Sequence, residues 1–206
     1  MEPTDDGLLR RMIAGDEEAF ALLYRRKHPA IYRFALRMTR NVAMAEDVTQ
    51  EVFMALIRDA KRFDPTRGTL GGFLFGIARN HLRKRWELER RFTHLAEDAD
   101  ESGTLSSAEA PAASSNGSHG QTTAGHFEFT AIENTARLRQ AISTLPENYR
   151  EIVVLCELEE MSYEEAASAL GCPVGTVRSR LHRARAILLE KLRGVPPVRR
   201  SPAVTQ

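Results

Sequence analysis

The stretch Met161–Arg185, MSYEEAASALGCPVGTVRSRLHRAR, gathers the side chains of this chain best suited to reading a nucleic acid. Arg178, Arg180, Arg183 and Arg185 follow one another with Thr176, Ser179 and His182 interleaved. Guanidinium groups neutralise phosphates and pair with guanine edges, while hydroxyls and imidazoles can bond either. A helix-turn-helix is the device that lets a short helix reach base edges in the major groove. The spacing predicts one here. Ser162 and Glu165 form an S-x-x-E capping box that starts a helix at Tyr163. Ala167 is small enough to let a second helix approach. Gly171 follows Leu170, where the helix must stop in a left-handed turn. Pro173 fits the start of the next helix, where its missing N–H costs nothing. Val177, Leu181, Ala184 and Leu188 then share one inward face. Thr176, Ser179, Arg180 and Arg183 lie opposite, with Arg178, His182 and Arg185 on the flanks. An ordinary amphipathic helix pair would also solvate such a face. The agreement of turn chemistry, small residues and basic outer face favours DNA. The candidate duplex contacts are Gly175, Thr176, Arg178, Ser179, His182 and Arg183. The start of that helix, at Pro173, Gly175 and Thr176, is placed against the phosphate backbone.

The rest of the chain narrows the possibilities. At 206 residues it has room for one or two domains, and 42% hydrophobic residues suffice for packed cores. A net charge of +1 conceals segregation. Arg79, Arg83, Lys84, Arg85, Arg90 and Arg91 form one basic block, and the arginines of 178–193 form another. Cys156 and Cys172 lack metal-ligand spacing and are expected to be buried, reduced thiols, so no metal or cofactor is expected. The Asp, Glu and His residues are scattered, with His94, His119 and His126 in or beside the acidic middle, so no catalytic residues are assigned and no enzyme is expected. The N-terminus MEPTDDGLLRR has no apolar run of the secretory type, and no segment approaches the length of a membrane span. A cytoplasmic protein without membrane insertion is the expectation.

These groups need helices to position them, and no alternating strand pattern is found. The predicted class is all-α, with two small helical domains joined by a flexible linker. Residues 93–130 contain no Lys or Arg and are rich in Ser, Ala, Gly and Thr, the composition of a flexible tether. They separate a unit at 5–92 from a unit at 131–193, with a disordered tail at 194–206. In the first unit, Gly15-Asp16 breaks and recaps a helix, Pro29 opens another, and Asn41 ends it. In Ala43–Phe63, Ala45, Val48, Val52, Ala55 and Leu56 are predicted inward, and Asp47, Gln50, Glu51 and Arg58 outward. A loop at 63–72 precedes a long helix from Phe73 whose second half is basic. In the second unit, Pro146 opens a helix. Leu138, Ile142, Leu145, Ile152, Leu155, Leu170, Val177 and Leu181 are the predicted core.

Three segments in this order resemble the sigma-70 family of transcription initiation factors, and in particular its short extracytoplasmic-function group. AEDVTQEVFMAL, Ala45–Leu56, is similar to the helix that binds the polymerase clamp. FLFGIARNHLRKR, Phe73–Arg85, is similar to the promoter-melting and −10-recognition segment. Leu145–Arg185 is similar to the −35-recognition domain. The resemblance implies a region 2-like bundle and a region 4-like helix-turn-helix. It also implies a chain that directs core RNA polymerase to promoters and helps open them. Partners implied are core polymerase through its β′ clamp and β flap, promoter DNA, and an anti-sigma factor. It assigns Asp47, Gln50 and Glu51 to the β′ clamp. The loop Lys61–Gly72 would capture a base flipped from the −10 element. There Phe63 could stack on a base or serve as a local core residue, and Asp64, Thr66 and Arg67 could hydrogen-bond one. Arg79, Asn80, Arg83 and Lys84 would follow the duplex upstream. Two positions depart from the family pattern: Phe73 stands where tryptophan is frequent, and Lys84 where aspartate is. A stand-alone helix-turn-helix regulator also explains Met161–Arg185. It gives no reason for the polar Asp47 face or for the basic helix at 79–91.

Overall fold

The computed structural model describes the backbone of residues 3–99 and 123–193, with side chains for 3–91 and 133–193. Among the described residues the chain is helical throughout, without strands. The helices are α1 (Asp5–Ile13), α2 (Glu17–Thr39), α3 (Val42–Asp59), α4 (Leu70–Ala99), α5 (Thr123–Ser143), α6 (Glu147–Val153), α7 (Tyr163–Leu170) and α8 (Val174–Arg193). A short 3-10 turn, Ala60–Arg62, follows α3, and a π-helical turn, Val154–Leu158, extends α6.

Local chemistry sets most helix starts. Thr4, Asp16 and Asn41 cap α1, α2 and α3, each accepting a backbone N–H three residues on. Asp5, in the first turn of α1, ties that helix to Arg26 at 3.2 Å and to Lys27 on α2. Ser162 and Glu165 form the reciprocal capping box at the head of α7. Gly171 ends that helix at φ 60°, a left-handed conformation that costs glycine little.

In the first unit, α2 packs on α3 and α4. Leu23, Ile31, Phe34, Val48, Leu56, Leu74 and Leu82 are fully or almost fully buried, and Phe34 meets Phe75 edge-on at 5.4 Å between ring centres. In the second unit, α8 packs against α6 and α7 over Ile152, Leu155, Val177 and Leu181. The two apolar sets merge into one buried cluster because α4 packs along α7.

The structure corrects several expectations. Pro29 lies inside the single helix α2 rather than opening a new one. Buried residues on both sides of it, Leu23 and Ile31, hold the helix across the missing hydrogen bond. Pro29 and Arg25 themselves face solvent, where water can satisfy the freed carbonyl. Arg40, in the left-handed conformation at φ 57°, stops α2, while Asn41 caps α3. Helix α3 ends at Asp59, and α4 starts at Leu70, three residues before Phe73. Pro173 is the residue before α8 and its carbonyl accepts the Thr176 and Val177 N–H groups. Leu138 is 39% exposed rather than core: its helix meets α8 at a shallow groove that also leaves Leu192 exposed. The expected linker, 93–130, falls largely outside the described residues. Its ends continue α4 to Ala99 and begin α5 at Thr123. The tail 194–206 lies outside the described residues.

The Ser162–Glu165 box yields a stability expectation. Ser162→Ala should cost about 1 kcal/mol in urea unfolding at neutral pH. The Ser162 N–H, foremost, and the Thr69 hydroxyl hold the Glu165 carboxyl below the usual range. A carboxyl depressed in the folded state stabilises above its unfolded pKa, about 4.3, and that contribution is lost as pH falls through the folded value. The acid sensitivity that Glu165 adds should therefore disappear in Glu165→Gln. Identical acid profiles for wild type and Glu165→Gln would contradict it.

Candidate nucleic-acid interface

Helix α8 presents the basic face that the spacing implied. Val177, Leu181 and Ala184 are buried, so rotation of the helix is fixed by the core. Gly175, Arg178, Ser179, His182 and Arg183 are exposed, and Thr176 is half-buried at the first turn. The Arg178 guanidinium lies 5.9 Å from the centre of the Tyr163 ring, which steers it without burying it. The Ser179 hydroxyl donates to the Thr176 carbonyl at 3.1 Å, leaving its oxygen free to accept. Arg185 is drawn off the face by Glu157 at 2.5 Å. The first turn of α8 points orphan N–H groups outward, the arrangement that suits a phosphate.

A second candidate surface forms around the loop between α3 and α4. Phe63, Asp64, Arg67, Arg79 and Asn80 line one cavity of about 360 Å³. Phe63 packs against Phe73 with ring centres 5.5 Å apart, so it is both a packed residue and part of the cavity wall. Phe73 thus fills its apolar site despite departing from the tryptophan pattern. Asp64 accepts the Thr66 N–H at 2.9 Å and its hydroxyl at 2.7 Å, which hold its carboxyl below the usual range. The pair fixes the loop, and Thr66 lines a neighbouring recess rather than the cavity that holds Asp64. Asn80, Arg83 and Lys84 are exposed along α4. Lys84 lines an adjoining recess with Phe73 and Asn80.

A third surface is polar and lies on α3. Asp47, Gln50 and Glu51 are exposed on one side of the helix, next to Met54 and Ile57, which are 55% and 54% exposed. Asp47 pairs with Arg85 of α4 at 3.2 Å in an open setting, a contact worth at most about 1 kcal/mol.

The structure turns one predicted DNA contact, Arg79, inward and adds Glu151, Glu159, Arg33, Arg37 and Arg150, which the spacing did not flag. Arg79 is turned away from solvent: its Nε donates to both oxygens of Glu151 at 2.9 and 3.0 Å, and its Nη1 to the Leu170 carbonyl at 3.0 Å. Burial pushes the Glu151 carboxyl up, against the pull of Arg79. Glu159 takes Arg33 at 2.6 Å and Arg37 as well, both from α2. Arg150 reaches the Met38 carbonyl at 3.0 Å. The one sequence signal was Glu151 itself, an acid at the head of the apolar run IVVL. Among the described residues no cluster suited to a metal ion is found, and burial pushes the Cys156 thiol up to about 11, far from a reactive thiolate.

The comparisons with known proteins agree with this layout. Residues 23–92 match the family model for sigma-70 region 2, and residues 135–188 that for sigma-70, region 4. The ECF RNA polymerase sigma factor SigE of Mycolicibacterium smegmatis is 34% identical, the match covering 93% of this chain and 70% of that protein. The ECF RNA polymerase sigma factor SigW of Bacillus subtilis is 31% identical over 90% of this chain and 95% of that protein. Among solved structures, the sigma factor RpoE of Bartonella quintana, in complex with the anti-sigma factor NepR, superposes with a TM-score of 0.58 at 27% identity. That match covers 84% of this chain and 96% of RpoE. With both regions matched in order and relatives above 30% identity over 90% or more of this chain, the chain belongs to the extracytoplasmic-function group of the sigma-70 family of RNA polymerase sigma factors.

Proposed function

We propose that the chain binds core RNA polymerase through α3, contacts the −35 element through α8, and engages and opens the −10 element through the loop 61–72 and α4. The observation that carries this reading is one chain holding two DNA-suited surfaces and a separate polar helix face. A stand-alone regulator would need only α8, and the family does not favour it. Asp47, Gln50 and Glu51 meet the β′ clamp, where exposed acids and an amide can pair with basic partner residues. Region 4 meets the β flap. Gly175, Thr176, Arg178, Ser179, His182 and Arg183 meet the −35 duplex. Phe63, Asp64, Thr66 and Arg67 take the flipped −10 base, and Arg79, Asn80, Arg83 and Lys84 meet the adjoining duplex. The domain limits are 5–92 and 131–193, with 93–130 as tether.

The chain acts in the cytoplasm beside polymerase, and no described helix is long and apolar enough to cross a membrane. An anti-sigma factor holds it inactive; the RpoE relative was solved with such a factor, NepR, bound to it. As a sigma factor the chain is an initiation subunit and not an enzyme.

Run-off transcription with purified core polymerase on a genomic promoter library tests the whole reading: the chain should make core initiate at a defined set of promoters. Activity without added chain equal to activity with it would end the proposal. Asp47→Lys should lower core retention in a pull-down, and wild-type retention would refute the clamp assignment. Arg178→Ala or Arg183→Ala should weaken −35 binding by about 1–3 kcal/mol if the residue reads a base. Unchanged binding in both would mean that another face of α8 meets DNA. Binding of the full chain to duplex promoter DNA should fall steeply with salt, since phosphate contacts release counterions.

A further inference from the structure

Arg178 and Arg185 stand two turns apart on α8, about 10 Å along its axis, and so project from one flank of the helix. The core residues Val177, Leu181 and Ala184 fix how that flank is turned. Both arginines are exposed, yet each meets a group from another element. Arg178 lies 5.9 Å from the centre of the Tyr163 ring, at the first turn of α7. The Arg185 Nη2 donates to the Glu157 carboxylate at 2.5 Å. Glu157, foremost, and the Tyr163 hydroxyl favour the charged form of Arg185 and raise its pKa. Tyr163 thus neighbours both arginines, with its ring toward one and its hydroxyl toward the other. Glu157 belongs to the π-helical turn Val154–Leu158, where the Glu159 N–H reaches back five residues to the Val154 carbonyl at 3.0 Å. Such turns are rare and recur at functional sites.

We infer that Tyr163 and Glu157 divide the labour of these two arginines: Tyr163 is a positioning residue that aims Arg178 at bases of the −35 duplex, and Glu157 withholds Arg185 from the phosphates. The inference rests on the proposed −35 role of α8. Reading a guanine edge needs a planar guanidinium presenting two N–H groups at once. A guanidinium attracted to a ring keeps its N–H groups for such a partner, and its motion is narrowed before DNA arrives. Without the ring, the long side chain is free to settle on the nearest phosphate, which carries no sequence information. Arg185 has the opposite fate. Its charge and part of its donor fork are already used by a carboxylate, so a phosphate must displace Glu157 to reach it. Both contacts lie at the surface and are individually weak. They therefore act on which groups DNA meets, with little effect on the stability of the fold. Aiming one arginine raises discrimination between sequences, and withholding the other lowers the affinity common to all of them.

The test has two arms. In the first, the chain bound to core polymerase selects from a promoter library randomised across the −35 segment, and base preference is read by sequencing the bound duplexes. Arg178→Ala should flatten the preference at one or two positions. Tyr163→Met fills the same space without a ring and should flatten those same positions by about two- to fivefold. Tyr163→Phe keeps the ring and should retain the preference. Adding Tyr163→Met to Arg178→Ala should change nothing further at those positions. Wild-type preference in Tyr163→Met, or a loss spread evenly over all positions, overturns the aiming of Arg178 while leaving its −35 role intact. If Arg178→Ala itself flattens no position, that role fails and the aiming fails with it. In the second arm, anisotropy follows the full chain binding a fluorescent duplex of random sequence over a range of salt. Glu157→Gln, at an exposed site outside the core, should bind about threefold more tightly at low salt. Its salt dependence should steepen by about 0.9 in the log–log slope, one phosphate contact more than wild type. Arg185→Ala in that background should remove the gain. Unchanged affinity and slope in Glu157→Gln overturn the withholding of Arg185, whatever Tyr163→Met does.

Discussion

Helix α4 has to serve two cores at once, and the rest of the molecule is arranged around that demand. One side carries Leu70, Leu74, Phe75, Ala78 and Leu82 into the region 2 core. Another, Gly72, Gly76 and Arg79, takes α7 at backbone distance. Phe73, Ile77 and Asn80 lie between the two and line the cavity beside the loop. A helix can do this because its side chains radiate at about 100° per residue, so three interleaved sets meet three neighbours. It leaves little freedom: a side chain larger than a methyl at Gly72 or Gly76 would press on α7, and the leucines cannot shrink without opening a void.

This demand accounts for the unequal treatment of the basic residues. Arg83 and Lys84 lie beyond the contact and stay in water. Arg79, one turn earlier, is drawn into it and matched by Glu151. Lys84, the residue that departs from the family pattern, therefore adds charge to the part of α4 that remains open. The same division runs through α8, where Arg185 is paired with Glu157 while Arg183 remains on the outer face.

Much of this was legible in the residues. The helix-turn-helix is spelled by short-range chemistry: a capping box at Ser162 and Glu165, a left-handed stop at Gly171, and a period that buries Val177, Leu181 and Ala184. The inward set of α3 follows from the same period. The misreadings arose where long-range packing overrides a local signal. Pro29 reads as a helix start, yet α2 continues because apolar residues on both sides are buried together. Leu138 reads as core, yet it lies beside a groove that α8 only partly covers.

The sequence by itself determined the family, the helical class and the outward faces of α3 and α8. The family rests on the resemblance of three motifs; the helical class and the outward faces depend on periodicity and caps, which act over a few residues. Only the tertiary structure decided that Arg79 faces Glu151, that Glu159 meets Arg33 and Arg37, and that α7 rests in the notch of Gly72 and Gly76. Those pairings join residues about 70 to 125 positions apart. No local rule relates such partners; they meet because packing α4 on α7, and α2 on α6 and its π-helical turn, brings the polar margins of those elements within bonding distance.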